Sequence, residues 1–187
     1  MGAIVQFGSG MMYYGRWMYS KTSNLEQANC PYLIGVVGWF MLTSLAHKAK
    51  IDQDWGLMLS CWSFGPGVVF MTIAYISIFQ GFIRENTGKG HPAHFLLIAP
   101  PAVMSLGIAV YTEGYAIPSQ CIFGYLLVLM FVLLRTGLLF FQKPKVLGVY
   151  WAYVFPMASL ATCAIKMAEY QQTEQSEIIA WILIATS

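Results

Sequence analysis

Tyr150-Trp151-Ala152-Tyr153-Val154-Phe155-Pro156-Met157 stands in the middle of an apolar run, Val146–Met167. A proline at the centre of a run long enough to cross a bilayer removes one backbone hydrogen bond and crowds the carbonyl one turn back. In hydrocarbon a freed carbonyl survives only where it is packed in protein or faces a watery cavity. Phe155, just before the break, is therefore expected to project from a kinked point at mid-membrane. On this helix alone two readings stay open: aromatic packing in a bundle, or a residue placed at a functional constriction.

Composition turns that helix into a fold class. Hydrophobic residues make up 58% of the chain and charged residues 10%, with a mean hydropathy of +0.61. Such a balance excludes a soluble core and predicts an all-α integral membrane protein. Trp55–Ile83 carries no charged residue at all and exceeds the roughly 20 residues a spanning helix needs. No basic stretch with a small-residue cleavage site opens the chain, so a removable signal peptide is not expected. A net charge of +2 is too slight to suggest nucleic acid as a partner. Cys30, Cys61, Cys121 and Cys163 show no paired spacing and read as small apolar residues, not as a disulfide or metal framework.

Read in order, the chain predicts a single transmembrane domain of five full spans flanked by two partial ones. Residues 1–19 form a partial span, ending in an aromatic and arginine anchor, Tyr13 to Met18. Full spans follow at 31–46, 55–83, 93–111, 117–141 and 146–167, and a second partial span at 178–187. Gly65-Pro66-Gly67 is expected to interrupt the span 55–83, and Pro118 suits the first turn of the span 117–141. An acidic loop is expected at Ala168–Glu177. Counting the first partial span as span one, the loops after spans one, three and five hold Arg16, Lys21, Arg84, Lys89, Lys143 and Lys145. The opposite loops hold Lys48, Lys50 and Lys166. This bias places loops 20–30, 84–92 and 142–145 on the cytoplasmic or equivalent side.

A second regularity concerns the helices themselves. Spans two, four and six each carry a helix-weakening feature near mid-membrane: Gly35 and Gly38, Pro100 and Pro101, and Pro156. Alternating weakened and regular helices suggest repeated hairpins, with spans two, four and six lying together on a functional axis.

These residues resemble the slow-type anion channels of plants and their bacterial relatives, the tellurite-resistance/dicarboxylate transporter family. Tyr14-Gly15-Arg16-Trp17-Met18 resembles that family's Tyr-Gly-Gln-Trp-Met, with arginine replacing glutamine. Gly35-Val36-Val37-Gly38, His91-Pro92 with Ile98 to Val103, and Trp151 to Met157 with Ala164 to Glu169 match its fifth, seventh and ninth helices. The resemblance implies a helical-hairpin bundle that forms part of a ten-helix, quasi-five-fold anion-channel fold. In that fold Pro- or Gly-kinked helices surround a pore, a phenylalanine at the position of Phe155 occludes it, and the subunits form a homotrimer. The family's first three helices, most of the fourth and the end of the tenth have no counterpart here.

Other residues have plainer roles beside the functional ones. Lys166 and Glu169, three apart on one helix face, can pair at the interface or form a positive pore mouth. Arg135 is expected near the cytoplasmic end of its helix, snorkelling. His91 and His94 read as anchors of a helix start in preference to metal or pigment ligands. No Ser-His-Asp set, paired catalytic carboxylates or phosphate-cradling glycine loop stands out, so neither an enzyme nor a cofactor is expected.

Two functional expectations follow. One is passive transport of small anions, chloride or nitrate, through a pore gated by Phe155. The other is a truncated, non-conducting relative that serves as an accessory subunit of a larger membrane complex, where membrane lipids, further copies or partner subunits cover the open pore face.

Overall fold

The computed structural model describes residues 5, 8–12, 15, 33–48, 53–85, 92–112, 114–137 and 151–186. Among the described residues every regular element is helical. The elements are α1 (Leu33–Lys48), α2 (Gln53–Glu85), a 3-10 helix (Pro92–Leu97), α3 (Ala99–Tyr111), α4 (Ile117–Gly137), α5 (Trp151–Gln171) and α6 (Glu174–Thr186). The chain divides into two compact units, Met1–Thr87 and Gly88–Ser187. Among the described residues three stretches are long and apolar enough to cross a membrane: Trp55–Gln80, His94–Tyr111 and Ile117–Arg135. Most of the Tyr14–Met18 motif, His91, and the basic loops 20–30 and 142–145 lie outside the described residues.

The first unit is built on an α1–α2 hairpin. Leu33, Val36, Trp39 and Phe40 recur at helical spacing on α1 and are fully buried. Phe40 meets Phe64 of α2 edge to face, with ring centroids 5.6 Å apart. A hydroxyl seam runs between the helices. Thr43 and Ser63 share a hydrogen bond of 2.9 Å, and Ser60 donates to the Thr43 carbonyl at 3.1 Å. Lipid offers helices little hydrophobic reason to associate, so such bonds and close packing carry the contact.

One expectation about this unit changes. The Gly65-Pro66-Gly67 stretch does not interrupt the helix: α2 runs unbroken for 33 residues with Pro66 inside it. One missing donor is a local loss that a long packed helix absorbs. Gly67 permits close approach of the two helices: a Cβ there would lie 3.0 Å from Phe40 Cε1 and 3.2 Å from Trp39 Cβ. Gly35 and Gly38 sit half-buried within continuous α-helix.

In the second unit α3 packs on both α4 and α5, and α6 packs on α5. Pro100 and Pro101 cannot donate to the Leu96 and Leu97 carbonyls, so no α-ladder can form just upstream. The chain takes the tighter form there, with Ile98 N–H donating to the Phe95 carbonyl at 2.9 Å. The prolines then open α3, where amides lack intrahelical partners anyway. They mark the start of a helix and not the centre of one.

The acidic loop expected at Ala168–Glu177 is also mostly helix. α5 continues to Gln171, and Gln172 turns the chain with a φ of 50°. Thr173 caps α6 through its hydroxyl, which accepts from the Ser176 amide, and Glu174 and Glu177 complement the positive helix start.

Candidate functional site

The site grows from α5, whose two faces differ. Pro156, Met157, Leu160, Ala161, Cys163, Ala164 and Met167 are buried. Phe155, Ala158, Thr162, Lys166 and Glu169 follow one another at helical spacing on the opposite, exposed side, flanked by Val154 and Ile165. Phe155 is 42% exposed and directly precedes the proline. Lys166 Nζ pairs with Glu169 Oε2 at the other end of the stripe. Both side chains are more than half exposed, so the pair adds little stability.

The exposed faces of α2 and α4 have another chemistry. On α2 they carry Trp55, Trp62, Val69 and Ile76, and on α4 Val128, Phe131 and Val132. These suit lipid. The stretch Ala158–Thr162–Lys166 on α5 carries smaller and more polar side chains.

The buried face of α5 is fixed to the break in front of α3. Tyr153 stacks edge to face on Phe95 of the 3-10 helix, with centroids 4.9 Å apart. Ten residues on, the Cys163 thiol donates to the Ala102 carbonyl at 3.3 Å. Pro100, Pro101 and Pro156 are thus brought into neighbouring helices of one unit, as Ala99–Tyr111 packs on Trp151–Gln171. Gly35 and Gly38 belong to the other unit.

A hydroxyl cluster locks α3 to the turn before α4. Ser105 Oγ lies 2.6 Å from Tyr115 OH and 3.1 Å from the Ser119 carbonyl, while Ser119 Oγ donates back to the Ser105 carbonyl at 3.2 Å. Ser105 has one hydroxyl proton. Given to the Ser119 carbonyl, it leaves Tyr115 as the donor to Ser105. Burial, and secondarily the nearby Cys163 thiol, raise the Tyr115 pKa far above the ordinary tyrosine range, so that proton stays in place. Sequence reasoning passed over this cluster. Its signal was two serines inside apolar runs with a tyrosine between them.

Of the remaining candidates, Arg135 lies exposed in the last turn of α4. Cys61 and Cys121 are exposed, and Cys163 is buried. Among the described residues no group of three or more His, Cys, Asp or Glu side chains comes close enough to hold a metal ion.

A family model described as voltage-dependent anion channel (SLAC1) matches residues 1–187. The S-type anion channel SLAH3 of Arabidopsis thaliana is 25% identical over 175 residues, covering 92% of this chain and 27% of SLAH3. SLAH2 of the same plant is 25% identical over 177 residues, 92% of this chain and 33% of its own length. SLAH1 is 24% identical over 160 residues, 83% of this chain and 40% of its own length. The chain therefore spans only about a quarter to two fifths of the length of these curated relatives.

Proposed function

The chain belongs to the SLAC1 family of voltage-dependent anion channels, and from that premise we propose that it forms part of a channel for passive flow of small anions, chloride or nitrate. Phe155 is the constriction. The observation that carries this reading is the exposed stripe of α5, with a bulky apolar ring at the proline and small or polar side chains beyond it.

Conduction asks for an anion path that attracts without trapping, since an ion held tightly cannot leave. A phenylalanine blocks by size and adds no charge, and it needs only to move aside. Lys166 offers positive potential at one end of the stripe. Its partner Glu169 tempers that potential and prevents a deep well. On this reading Pro156 bends the pore helix, and Pro100 and Pro101 shape the neighbouring wall. Further copies or a longer polypeptide complete the pore, with lipid around it and the basic loops at the cytoplasmic side.

The test is Phe155→Ala in oocytes expressing the protein as encoded, bathed in chloride and then nitrate. Basal anion current rises several-fold if the ring is the constriction. Current in neither the native protein nor the variant, at normal surface expression, favours the accessory-subunit reading instead.

A further inference from the structure

We propose that residues 155–162 of α5 form a hinge and that the Ser159 hydroxyl is the group positioning Phe155; this rests on reading Phe155 as the constriction. Three losses of helical stiffness fall in this stretch. Pro156 has no N–H to give the Ala152 carbonyl, so one rung of the ladder is missing. Ser159 Oγ donates to the Phe155 carbonyl at 2.9 Å, and Thr162 Oγ1 donates to the Ala158 carbonyl at 2.8 Å. Hydroxyls bonded back one turn compete with the backbone ladder and bend helices.

Back-bonded hydroxyls occur elsewhere in the molecule, for example at Thr72 and Ser77 of α2. What differs in α5 is their setting. They follow directly on a proline, and the stretch is clamped at both ends. Tyr153 holds the near end against Phe95, and Cys163 holds the far end against the Ala102 carbonyl. Both clamps sit on the 3-10 helix and α3, the paired-proline break. A helix fixed at two points and softened between them takes up any change as a change of bend. Phe155 lies at the soft end and moves with it. The bond from Ser159 ends on the carbonyl of Phe155 itself, so it acts on the residue whose position matters.

With the ring at the constriction, the bonds observed belong to the closed arrangement. Removing one weakens that arrangement by the net worth of a hydrogen bond, a factor of about 2–10 in the open-to-closed ratio. The experiment compares Ser159→Ala, Ser159→Thr, Thr162→Val and Phe155→Ala, and the Phe155→Ala/Ser159→Ala double variant, by oocyte recording with surface expression measured alongside. Ser159→Ala is expected to raise basal current about two- to tenfold with an unchanged nitrate-to-chloride permeability ratio. Ser159→Thr keeps the hydroxyl and restores the native current. In the Phe155→Ala background the serine change is silent, because the ring it positions is gone. Should Ser159→Ala not reach the surface, exposed Thr162→Val carries the same expectation.

Raised current in Phe155→Ala with unchanged or lowered current in both hydroxyl variants overturns the hinge alone. An equal effect of Ser159→Ala with and without the ring also overturns it, since the serine then acts elsewhere. No change in Phe155→Ala overturns the constriction, and the hinge with it.

Discussion

The single hydroxyl proton of Ser105 goes to the Ser119 carbonyl, so its two partners are not equivalent. Tyr115→Phe removes one neutral hydrogen bond and leaves Ser105 still donating, a loss of about 1 kcal/mol. Ser105→Ala strands a buried phenol proton and loses the bond to Ser119 as well, about 1–3 kcal/mol. Thermal unfolding in detergent should rank the variants in that order. Equal midpoints for native protein and Ser105→Ala would mean the cluster is not wired this way. The pH dependence has a definite sign. The Tyr115 pKa is raised in the folded state, so its stability contribution is complete below about pH 10 and lost as pH climbs from there. Between pH 5 and 9 this tyrosine should leave stability flat. The same residues mark the limit of sequence reading. Phe155 and Pro156 stood out because a proline in an apolar run lacks an amide donor wherever it falls. A serine in such a run can bond back one turn, as Ser159 does, or across to another helix, as Ser60 does. Only its neighbours decide.

At the scale of elements, the contrast between Pro66 and the Pro100–Pro101 pair shows how helices in this protein respond to missing donors. One proline leaves α2 continuous, whereas two in succession force a 3-10 turn and a fresh helix start. The all-helical class was legible because apolar length and charge distribution determine it. The position of the break within 93–111, and the start of α6 at Glu174, depended on which amides lacked partners. Thr173-Glu174-Gln175-Ser176-Glu177 held a capping signal that the acidic character of the stretch obscured. Gly67 gives the hairpin a direct test. Gly67→Ala sets a gain of about 1 kcal/mol in helix propensity against crowding on Phe40, and the two nearly offset. Gly67→Val adds two methyl groups to a position where even a Cβ is 3.0 Å from a ring carbon. It should destabilise the hairpin by about 1–3 kcal/mol, read as a lowered unfolding midpoint. A midpoint at or above the native value would show that α1 and α2 are not packed through this glycine.

For the whole molecule the question is which exposed surface meets lipid and which meets water. Exposure alone does not separate them, because a lipid-facing and a pore-facing side chain are equally uncovered in an isolated chain. Chemistry separates them. Val128 lies midway along α4 among other exposed apolar side chains, and Ala158 lies within α5 between Phe155 and Thr162. A thiol reacts as the thiolate, which needs water to form. Cysteine placed at the two positions should therefore report the difference. The background would have Cys30, Cys61 and Cys121 replaced by alanine, with buried Cys163 kept for its bond to Ala102. A charged, membrane-impermeant methanethiosulfonate should label Ala158→Cys and leave Val128→Cys untouched. An uncharged maleimide should keep the same order, because it too reacts with the thiolate. If the anion path runs along α5, a negatively charged reagent should also outpace a positively charged one at Ala158→Cys, since Lys166 lies two turns away on the same stripe. The preference should shrink as salt screens that charge. Equal labelling of both positions by the impermeant reagent would place no water path on α5. The accessory-subunit reading would then be the one left standing.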